Sequence, residues 1–208
     1  MENAIETIER DGFTAHIYYD TDTPNPRKDW DNFGKIVSRK LTSDEHFDFS
    51  GDSETDIKRL KKEFRATVIL PIYMYSHGGE TINTTGFSCP WDSGQVGWIF
   101  ATTEDICKEY NCKRVNPAIR RRVEQILVGE IKTYDQYIRG EVYGYELFDK
   151  TGNEIDSCWG FYGFDYIKEE VNRIIAWHIR QVEEDEKEQF ALFVNAGLTI
   201  PAKDEKTA

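Results

Sequence analysis

Val68-Ile69-Leu70-Pro71-Ile72-Tyr73-Met74-Tyr75 reads as a strand covered on both faces, because its apolar run lacks the polar alternation of a half-exposed strand. Pro71 cannot donate to a ladder, so it places a bulge or an edge position within that strand. Working outward, His77-Gly78-Gly79-Glu80 is a hairpin turn and Thr81 to Gly86 return as a polar strand. Gln95 to Ala101 form the next strand. On the N-terminal side, Ser53 reads as the cap of a short helix, Glu54 to Phe64, with Ile57, Leu60 and Phe64 at helical spacing.

Between the second and third of these strands lies Thr84-Thr85-Gly86-Phe87-Ser88-Cys89-Pro90-Trp91-Asp92-Ser93-Gly94-Gln95-Val96-Gly97. It combines a thiol, an acid, hydroxyls, two large aromatics, a proline and three glycines. Pro90 and the glycines restrict or relax the backbone locally, and Trp91 is expected to pack, since an indole in water forfeits a large burial gain. Loops held on a scaffold are where recognition and chemistry concentrate, which makes this segment the first candidate surface. A structured hairpin connection that plugs one end of a sheet is the competing reading.

Further out, Phe13, Ala15, Ile17 and Tyr19 alternate with polar or smaller partners as a half-buried strand, after a polar stretch over 1–12 that ends in the turn pair Asp11-Gly12. Asp20 to Asp31 is an extended surface loop. Asp20 and Asp22 at the strand end offer carboxylates to Mg²⁺ or Ca²⁺, although Asx turns and salt bridges to Arg27 and Lys28 account for them equally well. Residues 42–53 form an acidic loop, and Thr103 caps a short helix. Asn116 as cap and Pro117 at the first helical position open a long helix with Ile119, Val123, Leu127, Ile131 and Tyr134 on one face; Gly129 is a candidate kink. Glu141 to Phe148 and Glu154 to Gly163 flank the hairpin signal Asp149-Lys150-Thr151-Gly152-Asn153. Asp165 caps a second long helix with Ile167, Val171, Ile175, His178 and Val182 inward, and His178 reads as a core histidine. Phe190 to Ile200 is apolar enough to dock back on the body.

These elements imply an α+β fold: one mostly antiparallel sheet of five or six strands with two long helices on one face. The expected organisation is a single domain over 1–200 and a disordered tail at 201–208. The 208 residues carry 26 basic and 38 acidic side chains, net charge -12, which opposes direct binding of duplex nucleic acid through the whole surface. No apolar run is long enough to cross a bilayer and no secretory signal opens the chain, so cytoplasmic residence is expected. Cys89, Cys107, Cys112 and Cys158 lack a C-x-x-C pairing and are expected to be free, with neither a structural zinc site nor a cofactor implied.

Several stretches resemble a family of small proteins encoded by tailed bacteriophages, prophages and mobile elements: Asp29-Trp30-Asp31-Asn32-Phe33-Gly34, Ile69-Leu70-Pro71-Ile72-Tyr73, the Phe87 to Gly97 loop, Thr133-Tyr134-Asp135-Gln136-Tyr137 and Ser157-Cys158-Trp159-Gly160-Phe161-Tyr162-Gly163. The resemblance implies an accessory protein made in a bacterial host cytoplasm. It implies no catalytic set.

Several chemistries follow from the residues themselves. A cysteine hydrolase would use Cys89 as nucleophile, His77 as base and Asp92 as orienter, and a metal-dependent one would draw on Asp20 and Asp22. A binding surface would gather Trp30, Trp91, Trp98, Trp159 and Tyr162 with Asp29, Asp31, Asp92, Ser93 and Gln95, suited to a basic face on a host protein. Arg114 and Arg120 to Arg122 would instead favour an anionic small molecule such as a nucleotide. A DNA mimic would depend on Glu183, Glu184, Asp185, Glu186 and Glu188. The phosphate-loop, dinucleotide, zincin and nucleophile-elbow signatures are all missing. The sequence thus favours stoichiometric binding over catalysis, with inhibition of a host factor such as an anti-phage defence component as the foremost expectation.

Overall fold

The computed structural model describes residues 3–195, and the expected tail at 201–208 lies outside them. In chain order the elements are β1 (Glu6–Arg10), β2 (Phe13–Tyr19), β3 (Lys35–Ser38), α1 (Ser53–Glu63), β4 (Ala66–Ser76), β5 (Glu80–Asn83), β6 (Ser93–Thr102), α2 (Thr103–Glu109), α3 (Pro117–Ile138), β7 (Val142–Phe148), β8 (Glu154–Tyr162) and α4 (Phe164–Asn195). The fold is α+β. Its strands make two four-stranded antiparallel sheets rather than one of five or six, in the orders β1-β2-β7-β8 and β3-β6-β4-β5. Two compact units result: a terminal unit, Met1–Tyr18 with Tyr143–Ala208, and a middle unit, Tyr19–Val142.

In the middle unit, β4 is flanked by β6 and β5, and both faces of the sheet are covered. Ile36, Val68, Ile72, Ile99 and Ala101 pack with Val123, Leu127, Ile131 and Tyr134 of α3 and Ile106 of α2. Val37, Trp98 and Phe100 point the other way, against Leu60 of α1 and Phe47. The helices here therefore lie on both faces, which the continuous apolar run of β4 requires and a one-face arrangement would leave half exposed. Pro71 pairs with Trp98 on one side only, because β5 joins β4 from Tyr73 onward. Its missing N–H thus deprives no neighbour, and the register shift falls beside it, between Ile72 and Tyr73.

The helix ends follow local rules with small offsets. Asp52, one residue before the expected Ser53, caps α1 by accepting from the Thr55 N–H, and Thr102 rather than Thr103 caps α2 through the Asp105 N–H. Asn116 caps α3 with Pro117 at its first turn, as its sequence signature predicts. α3 runs unbroken through Gly129.

Arg27 holds the long 20–34 loop to this scaffold. Its side chain is 1% exposed; Nη2 donates to Asp44 Oδ2 at 2.5 Å and to the Gly34 carbonyl at 2.8 Å, and Nη1 donates to Glu130 Oε2 at 2.9 Å. Glu130, on α3, also accepts from the backbone N–H groups of Phe33 and Gly34, and Asp44 accepts from that of Ile36. The salt bridges expected between Arg27 and Asp20 or Asp22 are thereby replaced.

In the terminal unit, Arg10 pairs with Phe13, so Asp11-Gly12 is a two-residue turn with both φ angles positive (50° and 83°), the geometry that Asp-Gly supplies. β1, polar and at the sheet edge, has no apolar alternation to announce it. Ala15, Ile17, Tyr143, Tyr145 and Leu147 pack against Ile167, Val171 and Ile175 of α4. His178 is half-buried and its ring lies 5.9 Å from that of Phe13 and 4.7 Å from that of Trp177, at the margin of this core. α4 continues through the acidic run, and Phe190, Leu192, Phe193 and Val194 are exposed on it rather than docked, while 196–200 of the expected docking segment lie outside the described residues. Burial, then the hydrogen bond to Asp156 and its charge, push the Tyr145 phenol up. In the 149–153 turn, the Thr151 hydroxyl and the backbone N–H groups of Asn153 and Thr151 hold the Asp149 carboxyl down at about 2.

Two outcomes follow. Arg27→Met leaves the shielded carboxylates of Glu130 and Asp44 without their cation and is expected to lower unfolding free energy by about 3 kcal/mol in urea titrations, whereas Lys58→Ala, which breaks an exposed pair, leaves the midpoint unchanged. Asp149 is favoured as the anion in the folded state, so its contribution is present above pH ~4 and fades as pH falls toward 2. Asp149→Asn should flatten that part of the acid limb in thermal melts taken at stepped pH.

Candidate functional site

The Thr84 to Asp92 loop closes one end of the middle sheet. Asn83 Oδ1 accepts from the N–H groups of Thr85 (3.0 Å) and Gly86 (2.7 Å), and Gly86 takes a φ of 90°, which turns the chain back over the β4 end. There the Phe87 ring lies 5.7 Å from Tyr75, whose other neighbour is the His77 ring at 6.4 Å. The Ser93 hydroxyl donates to the Cys89 carbonyl, and the Ser76 N–H donates to the Asp92 carbonyl at 2.9 Å.

These contacts bring three predicted residues together. Cys89 Sγ donates to Asp92 Oδ2 at 3.6 Å, and His77 Nδ1 lies 3.4 Å from the same oxygen. The loop itself supplies the return: β5 leads away from His77 as far as Asn83, and the chain then comes back so that Ser93 pairs with Tyr75, beside the hairpin tip. The order of partners nevertheless differs from a nucleophilic triad, in which the imidazole stands between nucleophile and carboxylate. Here the carboxylate stands between thiol and imidazole, and it fastens the loop to the hairpin tip.

Trp91 crowns this fastened loop and is 92% exposed, the reverse of the expected packing. The Tyr75–Phe87 pair and the Asp92 hydrogen bonds already close the sheet end, so the indole has no core left to enter. Beside the hairpin tip, a cleft of about 430 Å³ is lined by Tyr75, His77, Glu80, Thr81, Ile138 and Arg139. Arg139 is committed to Asp135 and Glu141.

The other named residues disperse. Lys35 pairs with Phe100 and Tyr75 with Ser93, so the loop carrying Asp29, Trp30 and Asp31 joins the sheet at the opposite end of β6 from Trp91. Seven residue steps along β6 separate the two loops, roughly 23 Å at about 3.3 Å per residue. Gln95 accepts from the Ser53 hydroxyl at 3.1 Å, toward α1. Trp98 is core, 4% exposed. Trp159 and Tyr162 belong to β8 of the terminal unit. Asp20 forms an Asx turn, accepting from the Asp22 N–H at 3.2 Å. Among the described residues, no group of three or more His, Cys, Asp or Glu side chains is arranged to hold a metal. Arg114 and Arg120 to Arg122 are exposed, Arg120 bonding the Thr67 carbonyl and Glu124, and Glu183 to Glu188 lie exposed on α4.

Sequence reasoning missed Tyr75 and Phe87 as the base on which the loop rests. The spacing of the loop from β4 carries no signal of that ring contact. Compared with family models, with curated proteins and with solved structures, the chain matches none. No described helix is long and apolar enough to cross a membrane.

Removal of the exposed indole should leave the fold intact. Trp91→Ala is expected to keep the unfolding midpoint within error of the parent, and to lose the component of tryptophan emission most accessible to acrylamide.

Proposed function

We propose that this chain is a phage-type accessory protein made in a bacterial cytoplasm, which acts by binding a host protein stoichiometrically and inhibits it, a component of anti-phage defence being the foremost class of target. The observation that supports this reading is Trp91, 92% exposed on a loop fastened at Asn83, Phe87, Cys89, Asp92 and Ser93. A rigid loop loses little conformational freedom on binding, and an indole at its tip is the residue type that most often dominates interface energetics. Asp92, half-exposed beside it, suits a basic partner face. The carboxylate-centred order of Cys89, Asp92 and His77 favours a binding role for this loop over nucleophilic catalysis.

The test is capture from a bacterial lysate followed by native mass spectrometry of the eluted complex. One host protein retained at a defined stoichiometry is expected, with affinity reduced about thirtyfold or more by Trp91→Ala and reduced again by Asp92→Lys. A partner retained equally by Trp91→Ala would place the contact elsewhere. A small added mass, lost on denaturation and abolished by Arg120→Glu with Arg121→Glu, would replace this reading with nucleotide sequestration.

A further inference from the structure

The terminal unit has a second face. Ala15 and Ile17 of β2, and Tyr143, Tyr145 and Leu147 of β7, are buried with α4. Side chains alternate along a strand, so His16 and Tyr18, with Gly144, Glu146 and Phe148, point to the side away from the helix. Thr7 and Glu9 of β1 share that side, because Thr7 pairs with His16 and Glu9 with Thr14.

On this side four rings form a continuous row. Phe148 lies 5.5 Å from His16, His16 lies 6.4 Å from Tyr18, and Tyr18 lies 6.1 Å from Trp159 with the last two planes only 25° apart. Trp159 reaches this position by lying on Gly144, where a Cβ would collide with the ring; any other residue there would expel the indole. Trp159 remains 48% exposed, and His16, Tyr18, Glu146 and Phe148 are half-buried. Glu146 lies on this same side of β7 and puts one carboxylate beside the row of rings; burial, then the charge of Glu146, push the Tyr18 phenol up.

Charge decides what such a face accepts. β2, β7 and β8 contain no Lys or Arg, and the single Arg10 of β1 pairs with Asp11. Aromatic platforms for single-stranded nucleic acid pair their rings with basic side chains that follow the phosphates, and those are missing from these strands. Rings framing carboxylates instead match a guanidinium or an ammonium group, through its charge and through the faces of Tyr and Trp. We propose that the open face of this sheet, centred on Tyr18, Glu146 and Trp159, binds the arginine or lysine side chains of a basic peptide segment. This inference concerns the terminal unit and stands independently of any partner of Trp91.

The experiment is calorimetric titration of the whole chain with a capped peptide of alternating arginine and glycine, and with the same peptide carrying citrulline for arginine. Citrulline keeps the shape and removes the charge. The arginine peptide is expected to bind at least about tenfold more tightly than the citrulline one, and Glu146→Gln and Trp159→Ala should each weaken it by about five- to tenfold, with Trp91→Ala without effect. Near-ultraviolet circular dichroism identifies variants that have lost their packing; for Trp159, Tyr18→Leu provides a second removal of a ring from the row. Equal binding of the two peptides, retention of affinity in Glu146→Gln, or loss of it only on Glu183→Gln with Glu184→Gln would overturn the proposal. Tighter binding of oligothymidine than of the arginine peptide would overturn it in favour of a nucleic-acid platform.

Discussion

The middle unit depends on one buried cation. Arg27 is the meeting point of three segments distant in sequence: the loop that carries it, the strap at Asp44, and α3 at Glu130. Both carboxylates also accept backbone N–H groups at the start of β3. A guanidinium offers donors in a fixed planar fork, which suits it to two carboxylates and a carbonyl at once, where a lysine would supply a single point charge. Desolvating three charges is costly, and the geometry offsets that cost only because nearly every donor and acceptor is matched; Nε alone has no partner among the described residues. Gly34 sits inside this knot for steric reasons as well, since a Cβ there would collide with the side chains of Leu127 and Ile99.

With that corner fixed, the sheet can be packed on both sides and its far end can be specialised. Tyr75 and Phe87 meet at the end of β4 and the Asp92 carboxylate gathers the thiol and the imidazole, so the loop is fastened at several points without inserting its largest side chain. An exposed indole on a loop fastened in this way runs against the burial that its chemistry favours. The carboxylate expected from the sequence to orient the imidazole stands, in three dimensions, between the thiol and the imidazole.

The terminal unit solves a different problem. It has one long helix for its one sheet, so one sheet face is buried and the other is left to side chains that cover it themselves. Trp159 does this by crossing Gly144 to reach Tyr18, and the result is an aromatic surface with carboxylates and no cations on β2, β7 or β8. Helix number accounts for the difference in coverage, because the middle unit has three helices to distribute over its two sheet faces.

What the sequence by itself determined were the features whose causes lie within a few residues of one another. The period-two pattern of Phe13 to Tyr19, the Asn116-Pro117 helix start, the 149–153 turn and the doubly apolar β4 were all legible, because alternation, capping and turn chemistry act locally. The short strands β1 and β3 were not, since neither has a polar–apolar alternation strong enough to stand out, and each exists by virtue of the strand it pairs with. The division into two sheets was decided by β2 pairing with β7 across the whole length of the intervening chain, and the Arg27 knot by partners up to 103 residues away. The candidate site was half legible: its loop was visible, but whether Trp91 would be buried depended on whether Tyr75 and Phe87 had already filled the space. Only the tertiary structure decides such questions, because burial is a property of the space that other side chains leave and not of the residue that would occupy it.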